Sequence, residues 1–337
     1  MSTWEGLDMK NGFIERMKKQ TIGVEVEMYN ITRPDAAKLV ANYFGTYEGF
    51  WSIGQESHLD TYYCKDDKGR KWKFAYDSSI CGSQRNYAAS KKCELNTPVL
   101  LYEDIPTLQE ILRLLRKAGA KSDPKHQCGI HIHVGADIGK PDGHTPLSLR
   151  NLSNLMKAHE EILIEATGLS PERQRWCDTS SAEWIKNLNK QKPRTMEELK
   201  DLWYSSHNSG TSGCYRHYDF SRYHMLNLHA LFQHGGHGTV EFRLFQFDNP
   251  EGRSEGKKNG IHAGMIKAYI QLVLAMSQYA KEIRFASSNS NDDSNHKYAM
   301  RCWLLRLGFI GEEFKTAREL LTRRLTGDAA YSGRHVA

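Results

Sequence analysis

The chain has 337 residues, 39% hydrophobic and 26% charged, with 7 Trp, 16 Tyr and 12 Phe, which is material for a packed core and excludes a disordered chain. Its formal net charge of +6 is too small and too dispersed for specific nucleic-acid binding and fits small polyanionic ligands better. No run reaches the length of a membrane span, the start Met1-Ser-Thr-Trp-Glu-Gly lacks a signal-peptide pattern, and the seven cysteines contain no Cys-x-x-Cys pair, so a soluble, cytoplasmic protein with reduced thiols is expected.

In chain order, residues 20–29 predict a strand and 32–44 a helix with Pro34 in its first turn. Residues 48–100 predict strands and turns: 49–53, 61–64, 71–76 and 92–95 gather β-formers, with a hairpin turn at Asp66-Asp-Lys-Gly-Arg70. A helix follows at 107–118, ended by Gly119, then a strand at 126–136 and a long helix at 147–167, stopped at Gly168. Residues 170–220 are mixed and rich in Trp, Arg and Asn. Two strands are expected at 224–232 and 238–247, joined by Gly235-Gly236, and loops at 248–260 and 287–295. Helices at 261–283, 296–307 and 312–325 close the chain. No linker divides it, so one catalytic domain over 1–337 is expected, with its motifs in 20–247 and a helical part at 260–326.

Three of these strands carry polar pairs at i, i+2. They are Glu25 and Glu27 in Thr21-Ile-Gly-Val-Glu-Val-Glu-Met28, His131 and His133 in Cys128-Gly-Ile-His-Ile-His-Val-Gly135, and Glu241 and Arg243 in Thr239-Val-Glu-Phe-Arg-Leu-Phe245. Alternate residues of a strand share a face, so Val26, Ile132 and Phe242 face the opposite, packed side. Each pair alone suits a wet strand face or a surface ion pair. Three together suit a site that needs cations and phosphates to neutralise it.

Weaker candidates surround them. Glu94, in Cys93-Glu-Leu-Asn-Thr-Pro98, is a further carboxylate at a strand end. Asp77, in Tyr76-Asp-Ser-Ser-Ile80, is placed to orient an amine. Arg222 suits a carboxylate or phosphate, Asn227 opens the next apolar stretch, and Cys128 is a soft donor beside the His-x-His strand. No Walker A, Gly-x-Gly-x-x-Gly, His-Glu-x-x-His or Gly-x-Ser-x-Gly motif is present.

The ordered series Gly-Val-Glu-Val-Glu, Asp-Ser-Ser, Glu-Leu-Asn-Thr-Pro, Cys-Gly-Ile-His-Ile-His-Val, Arg-x5-Asn-Leu and Thr-Val-Glu-Phe-Arg-Leu-Phe resembles the amidoligases, carboxylate–amine ligases of the glutamine synthetase and glutamate–cysteine ligase superfamily. The resemblance implies an α+β fold, with a curved, largely antiparallel sheet carrying the active site on one face and helices on the other. It implies ATP and Mg2+, with Mn2+ as the alternative ion. Glu25, His131 and Glu241 would hold the metal nearest the nucleotide phosphates, and Glu27 and Glu94 the metal nearest the acyl substrate. His133 and Arg243 would contact phosphate, with Asn227 beside the cofactor. Arg222 would face the substrate carboxylate or the transferred phosphate, and Asp77 would bind or deprotonate the amine. Ser78 stands where the family commonly has glycine after that aspartate.

The expected reaction is ATP-dependent amide or isopeptide formation through an acyl phosphate. The partners are a carboxylate and an amine borne by an amino acid, a peptide or a protein side chain, with no membrane and no specific nucleic acid. The alternatives are an amide hydrolase or phosphotransferase on the same scaffold, a zinc hydrolase using His131, His133 and Cys128, and a binding module without catalysis.

Overall fold

The computed structural model describes residues 7–47, 53–56, 60–82, 87–248, 260–290 and 295–330. In order the elements are α1 (Leu7–Lys19), β1 (Ile22–Tyr29), α2 (Arg33–Phe44), β2 (Ile53–Glu56), β3 (Thr61–Lys65), β4 (Lys71–Ala75), β5 (Lys92–Asn96), α3 (Ile105–Lys117), β6 (Ile130–Gly135) and α4 (Pro146–Thr167). They continue with α5 (Pro171–Gln174), α6 (Ala182–Gln191), α7 (Met196–Ser206), β7 (Leu226–Asn227), α8 (His229–Phe232), β8 (Thr239–Phe245), α9 (Ala263–Glu282), α10 (His296–Arg306) and α11 (Lys315–Thr322). The described strands form one eight-stranded sheet in the order β2-β3-β4-β5-β1-β6-β8-β7, antiparallel at every pairing. The α+β class and the antiparallel sheet agree with expectation.

The central strands alternate. Val24, Val26, Leu95, Ile130, Ile132, Val134 and Phe242 point to one face and are buried. That face is covered by helices. α9 lies against β6 and packs on α1, α3, α4 and α11, while α2 covers β3 and β4. α9 is buried around nearly its whole circumference, as a helix apolar on every side must be. Its Tyr269 stacks on Phe245 of β8, with ring centroids 4.4 Å apart.

A β-bulge separates Ile130, which pairs with Phe245, from Ile132, which pairs with Phe242. The extra residue on β8 lets Phe242 and Phe245 both reach the core while Glu241 and Arg243 stay on the opposite face.

Helix ends follow their sequence signals. Thr32 and Thr145 cap α2 and α4 through their hydroxyls, and Gly168 closes α4 at φ +63°. The Asp66 turn forms as expected, its carboxylate accepting from the backbone N–H groups of Lys68 and Arg70.

One expectation needs correction. The stretch 224–232 is not a strand: only Leu226–Asn227 pairs with β8, and His229–Phe232 is a helical turn. The Asn227 side chain accepts the His229 N–H at 2.7 Å, a local bond that ends the ladder. The mixed segment 170–220 contains α5, α6 and α7, and α1 precedes the first strand. Residues 49–52 of an expected strand, and 249–259 and 291–294 of the two expected loops, lie outside the described residues. No helix among the described residues is long and apolar enough to cross a membrane.

Candidate active site

The polar face of the sheet gathers the expected residues by register. Glu25 sits opposite His131, Gly23 opposite His133 and Glu27 opposite Glu94. β8 sets Glu241 opposite His133, and β7 sets Asn227 opposite Glu241. Ala75 pairs with Glu94, so Asp77, two residues on, falls on the same face. The Asp77 carboxylate accepts the Ser79 N–H at 2.6 Å, an Asx turn where the chain leaves the sheet.

The donors sort into two clusters. Ligand atoms of Glu25, His131 and Glu241 lie within 4.8 Å of one another, and so do those of Glu27, Asp77 and Glu94. In the first cluster His131 Nδ1 is 2.9 Å from Glu25 Oε2 and 3.6 Å from Glu241 Oε1. His133 Nε2 is 3.3 Å from Glu25 Oε1. Arg243 Nη1 donates to Glu241 Oε1, and Asn227 Nδ2 to Glu241 Oε2 at 2.6 Å.

Electrostatics differ between the two. Burial pushes the Glu241 carboxyl up, but Arg243, His133 and His131 outweigh it and hold the group down at about 2. Burial likewise pushes Glu25 up, and hydrogen bonds and attraction from His131 and His133 bring it well below the ordinary carboxylate range. Burial lowers His133, and Glu241 and Glu25 more than restore it, so its net direction is upward. In the second cluster Glu94 moves the other way. Burial raises it first, then the negative charges of Glu25, Asp77 and Glu27, to well above the ordinary range, although Asn96 donates to its Oε1 at 2.9 Å. Three converging carboxylates fit a divalent cation.

Two cavities meet here. A cleft of about 670 Å³ runs over the β4–β5–β1 side and is lined by Lys71, Lys73, Glu94, Asn96, Thr97 and Thr239 among others. A smaller pocket of about 190 Å³ lies on the β7–β8 side, lined by His217, Arg222, Asn227, His229, Gln233 and Glu241 among others. Glu25, His133 and His237 line both. Arg222 donates to the His217 carbonyl at 3.0 Å, and its guanidinium lies over the Tyr218 and Tyr223 rings at 5.4 and 5.8 Å.

All ten expected residues therefore share one face or its rim. Cys128 does not join them: its thiol packs with Tyr29, Ile80 and Cys81 and belongs to neither cluster, and burial pushes it well up. Two groups escaped the sequence reading. Lys71 and Lys73 repeat the i, i+2 pattern of the motif strands, a visible signal. Arg173 is 1% exposed and reaches Glu27 and His131 from α5, and its local sequence Ser-Pro-Glu-Arg-Gln gives no hint of that.

The family described as "Putative amidoligase enzyme" matches residues 18–277 of the chain, a span that contains every residue of both clusters and both cavities. None of the curated proteins compared matches the chain. Among solved structures, a bifunctional glutathione synthetase from Pasteurella multocida is similar with a TM-score of 0.44 and 14% identity, over 94% of this chain and 49% of that one. The chain thus spans about half the length of that solved structure.

Proposed function

The chain belongs to the amidoligase family, and from that premise we propose that it is an ATP- and Mg2+-dependent carboxylate–amine ligase that forms an amide or isopeptide bond through an acyl phosphate. The observation that carries this reading is the pair of three-donor clusters lying side by side where the two cavities meet. Five carboxylates and one imidazole form a hard donor set, suited to Mg2+ or Mn2+ and poorly to a zinc site built on His131, His133 and Cys128.

Glu25, His131 and Glu241 would hold one ion, and Glu27, Glu94 and Asp77 the other. Bound there, the ions would neutralise the triphosphate and the charge that develops during phosphoryl transfer. The larger cleft, with Lys71 and Lys73 on its wall, suits the nucleotide. The smaller pocket, with Arg222, suits the acid.

A carboxylate resists amines because the attacking nitrogen would have to expel oxide. Phosphorylation by ATP supplies a leaving group. His133 and Arg243, beside Glu25 and Glu241, are placed to donate to the moving phosphoryl oxygens. Asn227 fixes Glu241, and Arg222 holds the substrate carboxylate or the transferred phosphate. The amine then attacks the acyl carbon, phosphate leaves, and the amine's proton passes to a base or to the departing phosphate. Membership of a carboxylate cluster favours Asp77 as a metal ligand over Asp77 as that base. The acid and the amine reside on an amino acid, a peptide or a protein side chain.

Calorimetry with ATP, with and without Mg2+, tests the reading on wild type, Glu27→Gln and Arg243→Ala. Mg2+-dependent binding weakened in both variants is expected, followed by ADP release on addition of an accepted acid and amine. No ATP binding under any metal condition would overturn it.

A further inference from the structure

Arg173 comes from a four-residue helix, α5, outside every motif strand, yet its guanidinium is buried beneath the site. Nη1 lies 3.5 Å from Glu27 Oε2 and donates to the Gln127 carbonyl at 3.2 Å, and Nη2 lies 3.5 Å from His131 Nε2. Glu27 belongs to the carboxylate cluster and His131 to the mixed one, so a single fixed positive charge touches a member of each.

The Arg173 contact engages one atom of each residue. Glu27 Oε2 takes the Arg173 contact and the Gly129 N–H at 2.6 Å. His131 meets Arg173 through Nε2, while Nδ1 faces Glu25 and Glu241.

The strand is shaped to admit this cation. A Cβ on Gly129 would lie 2.0 Å from Arg173 Nη2 and 2.3 Å from Cζ, so the glycine before Ile-His-Ile-His is the space the guanidinium occupies. The Arg173 turn is fixed from behind: Ser170 caps α5 through its hydroxyl, and the Ser170 N–H donates to Gln246 Oε1 at 3.3 Å. A buried charge with so little freedom acts through its field as well as its contacts.

We propose that Arg173 is the internal counter-ion of the two clusters. It is a positioning residue that holds Glu27 and His131 in register when no divalent cation is present, and its charge keeps such cations weakly bound until the phosphates of a nucleotide arrive. The inference rests on the two-ion reading above. Neutralising Arg173 removes a repulsive charge from beside the ions, so it tightens their binding, whereas loss of a merely structural contact would loosen it.

The test is titration of the full chain with Mn2+ alone, read by calorimetry and by the shift in thermal unfolding midpoint, for wild type, Arg173→Met and Arg173→Lys. Arg173→Met is expected to unfold at lower temperature without metal, to recover on adding Mn2+, and to bind Mn2+ about tenfold more tightly than wild type. Arg173→Lys keeps the charge and is expected to behave as wild type. Gly129→Ala, which must push the guanidinium aside, serves as a second variant should Arg173→Met fail to fold, and is expected to shift in the same direction.

Mn2+ binding that Arg173→Met leaves unchanged or weakens, or that Arg173→Lys alters equally, would overturn the inference and leave the two-ion reading standing. No Mn2+ binding by wild type, with or without ATP, would overturn both.

Discussion

The two clusters sit on adjacent strands of one sheet, yet they handle charge in opposite ways. The cluster of Glu25, His131 and Glu241 carries its own cations. Arg243 and two imidazoles bring Glu241 down to about 2, and the imidazoles bring Glu25 well below the ordinary range, despite burial. The cluster of Glu27, Asp77 and Glu94 is made of carboxylates alone, and burial with like-charge crowding drives Glu94 upward. The first is stable ionised and preorganised. The second meets Arg173 at Glu27, yet Glu94 stays raised, so ion occupancy should be felt most at Glu94 in stability and pH response.

The largest effect should come from removing one donor of either cluster. Glu27→Gln and Glu25→Gln are each expected to lower ADP formation with an accepted acid and amine by about 10³-fold or more, the scale of losing a preorganised transition-state contact. The variants should differ where the comparison says they do: in nucleotide-free Mn2+ titrations the Glu27 change should erase one ion and the Glu25 change the other. Two ions lost together in both variants would show that the clusters form one site.

Next comes the compensated cluster. Arg243 and Glu241 have side chains 6% and 4% exposed, so Arg243→Met strands a buried carboxylate and is expected to cost about 3–5 kcal/mol of folding stability at neutral pH. The pH dependence fixes the sign. Glu241 is held below its ordinary value of 4.5 at about 2, so its contribution is present above 4.5 and fades as pH falls through 2. The gap between wild type and Arg243→Met in urea unfolding should therefore narrow on acidification. A gap constant with pH would assign the loss to packing.

Glu94, in the other cluster, predicts the reverse. Glu94 is raised above 4.5 in the folded state, so the metal-free folded protein holds more protons than the unfolded chain, and stability falls as pH rises from 4.5 through the folded value. Glu94→Gln should remove this slope and make the metal-free protein more stable than wild type at pH 8. Saturating Mg2+ should invert the order, because wild type gains an ion the variant cannot hold. Thermal unfolding in chelator and in Mg2+ checks both halves.

The same contrast governs what the sequence revealed. Glu25, Glu27, His131, His133, Glu241 and Arg243 were legible because their strands alternate polar and apolar residues over several positions, and alternation alone puts them on one face. The partition into clusters was only half legible. Asp77 joins Glu27 and Glu94 through the pairing of Ala75 with Glu94, a register that depends on tertiary assembly. Arg173 was illegible, since its role is set by where α5 docks.

The strand expected at 224–232 failed because the Asn227 side chain competes locally for the His229 N–H. Helices α6 and α7 carried readable signals, Ser181 and Thr195 caps with Glu198 closing a capping box, but their charged outer faces diluted the apolar stripe of Trp184, Ile185 and Leu188.

The smallest expected effect concerns the wall of the larger cleft. Lys73 pairs with Asn96 on β5 and lines the cleft beside Glu94, so it bears on a polyanion in that cleft. If the cleft takes the triphosphate, Lys73→Gln should weaken Mg2+–ATP binding about three- to tenfold, with a salt dependence shallower than wild type, as for the loss of one exposed cation from an anion's surroundings. Mn2+ binding without nucleotide should move little or tighten slightly, since one positive charge has left the neighbourhood of the carboxylates. The discriminating measurement is ATP against ADP. A lysine beside the terminal phosphate loses more for ATP, one beside the inner phosphates loses equally for both, and a loss for neither would move the nucleotide out of the large cleft and towards the Arg222 pocket.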